Sequence, residues 1–268
     1  MNVRASLLVA FVAVLGCRTR QGTTISVDPA TSAAPDAVAA RPTVSFTQAT
    51  FEENHGVHVT LSWPILVLPK NRGAAMSATI EHALRADAQE VVDEYGNDVK
   101  SAGPAGGAWL DHRFVHVVCA PTLVAPALVS VACRHAWNRG DAIDDGDWIT
   151  TYAWTTAKGS TPLAIDDVVG AGRQPLATLV WTAMEAKRAT SGATVDDVAR
   201  NDLGAFFFDR SGVTFVPRPY GDWKGDLTLH LDWVQLRSAA HDASIVDGLE
   251  KAAQDPRAIT NPFVAPFG

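Results

Sequence analysis

Three histidines offer the first chemistry to weigh. His112-Arg113-Phe114-Val115-His116 has the two-ligand spacing that zinc enzymes place on one face of a helix. On a strand rising ~3.3 Å per residue the same two rings stand about 13 Å apart, too far for a single ion. The segment alternates as a strand does, and His135 falls on the opposite side of its hairpin from His116, so no metal site is expected here. Asp141, Asp144, Asp145 and Asp147 crowd one loop. A calcium-binding loop wants oxygen ligands at alternate positions and an acidic twelfth residue, and Ile143 and Tyr152 break that pattern, so a solvated turn is the better reading. Asp166-Asp167 and Asp196-Asp197 each precede an apolar or helical segment, where carboxylates cap a first turn, and they read as caps instead of acid and base pairs. Arg139-Gly140-Asp141 is a tripeptide common by chance.

Nucleophilic hydrolysis finds no motif. The chain has no Gly-x-Ser-x-Gly elbow, no Ser-x-x-Lys set and no His-Glu-x-x-His. The glycines from Gly103 to Gly107 precede a strand instead of opening a helix, so they form no phosphate cradle. Trp148, Tyr152 and Trp154 make an aromatic stripe of period two that could stack on a sugar ring, but such stripes are more often core. No catalytic residue, metal ligand or cofactor is expected.

The elements that would position these residues are mixed. Phe114–Cys119 and Leu128–Trp137 read as two strands turning near Pro126. That register sets Val115 opposite Trp137, Val117 opposite His135 and Cys119 opposite Cys133, giving one apolar face. Directly opposed residues lie within disulfide reach, so Cys119 and Cys133 are expected to be bonded. A half-buried strand is predicted over Val57–Trp63 and another over Trp148–Thr156. Met76, Ile80, Leu84, Val91 and Tyr95 give a helix from Ala74 to Tyr95, with Asp87, Glu90, Asp93 and Glu94 assigned to its polar faces. A second helix follows Pro175 and stops at Ser191-Gly192. Phe206–Phe208 and Val213–Phe215 form a hairpin around Arg210-Ser211-Gly212, and a strand covers Leu227–Trp233. Residues 239–268 form a tail with a short helix near Ile245–Ala253.

The first residues say where the protein acts. Arg4 precedes an apolar run from Ala5 to Leu15, too short for a bilayer core that needs about 20 apolar residues. Small Gly16 then precedes Cys17. We read residues 1–16 as a lipoprotein signal, Cys17 as the lipid attachment site and the location as extracytoplasmic and membrane-anchored. Residues 17–45, rich in Thr, Ser, Ala and Pro, read as a flexible tether, and 46–238 as a single domain. With Cys17 acylated, Cys119 and Cys133 remain as an even pair in an oxidising compartment. A formal net charge of −7 argues against a nucleic-acid partner.

Several strings resemble a known family. Trp63-Pro64-Ile65 followed by Ser77-Ala78-Thr79-Ile80 is similar to its first strand and helix. Leu128-Val129-Ser130-Val131, Gly159 through Leu163-Ala164-Ile165-Asp166-Asp167, and Phe206-Phe207-Phe208 through Gly212-Val213-Thr214-Phe215 resemble later landmarks, with Pro219-Tyr220 and Gly225 after them. The family is the extracytoplasmic domain shared by the lysozyme-sensing anti-sigma factor RsiV and the non-catalytic region of a peptidoglycan deacetylase. Many members carry a Gly-Ala-His string after the second hairpin strand, where this chain reads Asn138-Arg139-Gly140-Asp141-Ala142-Ile143 without the histidine. The expected fold is α+β, an antiparallel sheet of hairpins with two main helices packed on it. The resemblance implies a non-enzymatic binding or sensing module whose partner is a muramidase or peptidoglycan. A cell-wall hydrolase or deacetylase and a purely structural tethered domain are the alternatives.

Overall fold

The computed structural model describes residues 23–26, 41–53, 57–69, 73–101, 114–138, 145–159, 161–191, 203, 205–216 and 228–260. The signal, Cys17, His112, Gly103–Gly107, Asp141, Asp144, Asp196-Asp197 and Pro219-Tyr220 lie outside them. Six strands form one sheet in chain order: β1 (Thr23–Ser26), β2 (Thr43–Glu53), β3 (Val57–Val67), β4 (Phe114–Val124), β5 (Leu128–Asn138) and β6 (Asp145–Thr155). Four of its neighbouring pairs are antiparallel, but β3 and β4 run parallel. The sheet is therefore mixed, and the expected antiparallel sheet of hairpins is corrected at this point. Parallel neighbours need a long crossover. Here α1 (Gly73–Ser101) supplies it and lies over one face of the sheet.

The hairpin of β4 and β5 has the register its pattern predicts. Val115 pairs with Trp137, Val117 with His135 and Cys119 with Cys133, and the two sulfurs are bonded. Beyond the parallel junction Val59 stands beside Val115 and Leu61 beside Val117, so the inward face continues across it. Met76, Ile80, Leu84, Ala88 and Val91 of α1 close that face over Val59, Leu61, Trp63, Val115, Val131 and Trp154. Burying each such side chain stabilises the fold by roughly 1.5–3 kcal/mol.

A second layer holds its own sheet of β7 (Ala205–Phe208), β8 (Gly212–Val216) and β9 (Leu229–Asp232), all antiparallel. With it pack α2 (Ile165–Val169), α3 (Arg173–Ser191), α4 (Trp233–Ala239) and α5 (Ala243–Ala253). The described residues thus carry five α-helices where two main ones and a short one near Ile245–Ala253 were expected. Trp233 opens a helix instead of closing a strand, because Asp232 and Gln235 form a capping box. The Gln235 N–H donates to Asp232 Oδ1 at 2.7 Å, and the Asp232 N–H donates to Gln235 Oε1 at 3.0 Å. The C-terminal segment joins this core. Val246, Leu249 and Ala253 are buried, Ile259 pairs with Val124, and a methyl at Gly172 would stand 2.0 Å from the Ala239 carbonyl oxygen.

Three hydroxyls join the layers. The edge strand β7 crosses the sheet face opposite α1, where the Phe208 N–H donates to Ser130 Oγ at 2.9 Å and the Phe206 N–H donates to Thr151 Oγ1 at 2.8 Å. Thr122 Oγ1 donates back to the Phe208 carbonyl at 2.8 Å. Backbone groups that an edge strand would leave open are thereby satisfied without a neighbouring strand. Ser130 is fully buried, so Ser130→Ala strands the Phe208 N–H and is expected to cost about 1–3 kcal/mol in chemical denaturation. No helix of the described residues is long and apolar enough to cross a membrane.

Candidate functional site

A buried group of ionisable side chains lies beneath α1. Asp87 was assigned above to a polar face, yet it follows Leu84 by three residues and precedes Val91 by four, which places it in the buried stripe. Its side chain is 13% exposed. The Tyr152 hydroxyl donates to Asp87 Oδ1 at 2.6 Å. His135, fully buried on β5, brings Nε2 to 3.1 Å from Asp87 Oδ2 and to 2.8 Å from Thr150 Oγ1. Neither Asp87 Oδ2 nor His135 Nδ1 has a hydrogen-bond partner.

Aromatic rings wall the cluster. Trp148 stacks on His135 at 4.9 Å and 16°, and Tyr152 stacks on Trp154 at 5.6 Å and 19°. The stripe read from the sequence is therefore core packing, and Trp154 is fully buried. Burial raises the Tyr152 pKa above its ordinary value, and the Asp87 carboxylate raises it further, so the phenol stays a neutral donor. The Cys119 and Cys133 sulfurs and an Asp87 oxygen all lie within 4.8 Å of one another.

A second constellation sits on the turn between β7 and β8. Ser211 Oγ is 3.2 Å from His230 Nε2, and Thr214 Oγ1 is 3.1 Å from His230 Nδ1. The serine nevertheless donates to Asp209 Oδ1 at 2.6 Å, and that oxygen also takes the Ser211 and Gly212 N–H groups. Asp209 thus binds the turn, and its other oxygen stays 3.9 Å from His230 Nδ1, outside hydrogen-bond reach. The backbone donors that an oxyanion would need are spent on the same carboxylate.

The sheet face opposite α1 is covered by β7 at one end and exposed at the other, where His58 and His116 reach solvent. His116 stands between buried Val115 and Val117, pairs with Thr60 across the parallel junction and lies 4.6 Å from the Phe114 ring. Its face is not that of His135, as the hairpin register required. Burial lowers the His116 pKa below 6.5, and Arg134 lowers it further. A nuclear magnetic resonance titration is expected to find its midpoint below that of an unfolded-chain histidine. Arg134→Ala should return part of the shift while the larger burial component persists. Because the folded value is depressed, this group's contribution to stability is present above the unfolded pKa and fades as pH falls through the folded one.

Among the described acidic pairs, Asp167 accepts the Ala164 N–H at 2.7 Å and pairs with Lys158, while Asp166 pairs with Arg173 at 2.8 Å. Both sit in the first turn of α2, as capping predicts. The Lys158 contact first, and the Ala164 N–H as well, hold the Asp167 carboxyl below its usual range. Asp145 and Asp147 lie on β6 rather than in a loop.

The sequence matches no family model and no curated protein. Among solved structures the chain is similar to a member of the DUF3298 family from Bacteroides fragilis, at 14% identity and a TM-score of 0.51, over 78% of this chain and 98% of that one. It also aligns with a DUF3298 family protein from Pseudomonas aeruginosa at 9% identity and a TM-score of 0.37, over 57% of this chain and 71% of that one. These neighbours belong to a domain family of unknown function, and the likeness to the first is one of fold.

Proposed function

We propose that this chain is a lipid-anchored binding or sensing module of the cell envelope, held through Cys17 and presenting its α+β domain to a muramidase or to peptidoglycan. The observation that carries this reading is the bond between Cys119 and Cys133 across the central hairpin. Disulfides persist in oxidising compartments, and this one leaves Cys17, directly after the apolar run, as the third cysteine of the chain. The RsiV-like strings point to the same compartment and to a protein or glycan partner. The exposed sheet end bearing His58, Phe114 and His116 supplies a rigid surface with an aromatic ring and two imidazoles, groups suited to a partner's polar and aromatic side chains. Elsewhere Asp87 is engaged in holding α1, and Asp209 in binding the 209–212 turn.

The test immobilises the domain and measures retention of a lysozyme-type muramidase and of soluble muropeptides. Retention of one of them, weakened about tenfold (~1.4 kcal/mol) by His58→Ala with His116→Ala, is the expected result. Absence of retention for both defeats the binding reading. Radiolabelled palmitate entering the wild type but not Cys17→Ser checks the anchor independently. Among the described residues the Ser211–His230 contact favours a hydrolase, and muropeptide turnover abolished by Ser211→Ala would establish that reading instead.

A further inference from the structure

The group beneath α1 holds two sulfurs, a carboxylate and an imidazole, all buried except for the 13% exposed Asp87 side chain. In the oxidised protein Asp87 Oδ2 and His135 Nδ1 are buried without a hydrogen-bond partner, an arrangement that a hydrogen-bonded core avoids, and Oδ2 has only the His135 Nε2 contact at 3.1 Å. With donor atoms of Asp87, Cys119 and Cys133 all within 4.8 Å of one another, the geometry points to a redox-gated site for a soft divalent cation of the zinc class, closed while the disulfide stands and formed when it is reduced.

A dithiol reductant delivers two electrons and two protons to the sulfur–sulfur bond, leaving two thiols on the protein and a disulfide on the reductant. Metal entry then displaces both thiol protons to solvent. A divalent ion offsets the added charge and takes Cys119 Sγ, Cys133 Sγ and an Asp87 oxygen as ligands. His135, with Nε2 3.1 Å from Asp87 Oδ2, serves as the positioning residue for that carboxylate, and a fourth coordination place stays open. The three ligands come from three elements already packed together, α1, β4 and β5, so no long loop has to close.

The test uses the purified chain carrying Cys17→Ser, leaving Cys119 and Cys133 as its only sulfhydryl pair. It is reduced with a phosphine under argon and titrated with cobalt(II) and then zinc(II). The expected result is one cobalt per chain, a near-ultraviolet thiolate-to-cobalt band abolished by zinc, and about two protons released per ion at neutral pH. Asp87→Asn should weaken apparent affinity by at least ~10-fold while keeping the band. The oxidised protein should give no band. If reduction unfolds the chain, recovery of near-ultraviolet circular dichroism on adding zinc supports the site, and failure to recover overturns it. A folded, reduced protein without the band, or equal cobalt uptake by oxidised protein, also overturns it.

Discussion

Replacing Cys119 and Cys133 together by alanine is expected to lower the unfolding free energy by about 3 kcal/mol in urea denaturation under oxidising conditions. The two residues are 14 apart in sequence, and a closed loop of about 15 residues restricts the unfolded chain by about that amount. Alanine is the right replacement because both positions are fully buried, and serine would add two hydroxyls in need of partners. Since a domain typically unfolds at 5–15 kcal/mol, the variant should remain folded, with unaltered far-ultraviolet circular dichroism and a lower midpoint. A loss below about 1 kcal/mol would mean that the hairpin already constrains the unfolded chain to the same degree. The bond would then contribute little beyond its packing.

The same hairpin shows how much of the fold was legible. Its register followed from one fact, that Val115 and Val117 can share an apolar face with Trp137 only if the turn falls near Pro126, and Cys119 then has no other partner than Cys133. Helix α1 was legible in its apolar spacing, but Asp87 was placed by its polarity instead of its phase, which the stripe through Leu84 and Val91 indicates. The parallel pairing of β3 with β4 was not legible. Alternation fixes which side chains share a face and is silent on strand direction. Strand β2 escaped because its apolar residues change phase, from Val44 and Phe46 to Ala49 and Phe51. The attachment of β7 depends on Ser130, Thr122 and Thr151, hydroxyls that look like ordinary strand residues until the second sheet lies across them. Of the candidate site, the sulfurs and the Tyr152 position were visible, whereas the meeting of Asp87 with His135 needed the crossover that sets α1 over β5 and β6.

Asp87 is where the second large effect is expected. Asp87→Ala should cost about 3 kcal/mol, the upper end of the range for leaving a buried hydroxyl without its acceptor. It strands the Tyr152 hydroxyl and leaves a void beside His135 Nε2. Tyr152→Phe removes only the donor to a charged acceptor and should cost about 1.5–3 kcal/mol. Because both changes break the same bond, the double variant should lose less than the sum, by about 0.5–3 kcal/mol. Alkaline pH separates the phenol from simple packing. The folded-state pKa of Tyr152 is raised above its unfolded value of 10.0, so its contribution is fully present below pH 10 and is lost as pH rises beyond that. Wild-type stability should therefore fall above about pH 10 more steeply than that of Tyr152→Phe. Parallel alkaline limbs for the two proteins, together with additive single-variant losses, would show that α1 is held by its apolar stripe alone and that the Tyr152–Asp87 bond contributes nothing of its own.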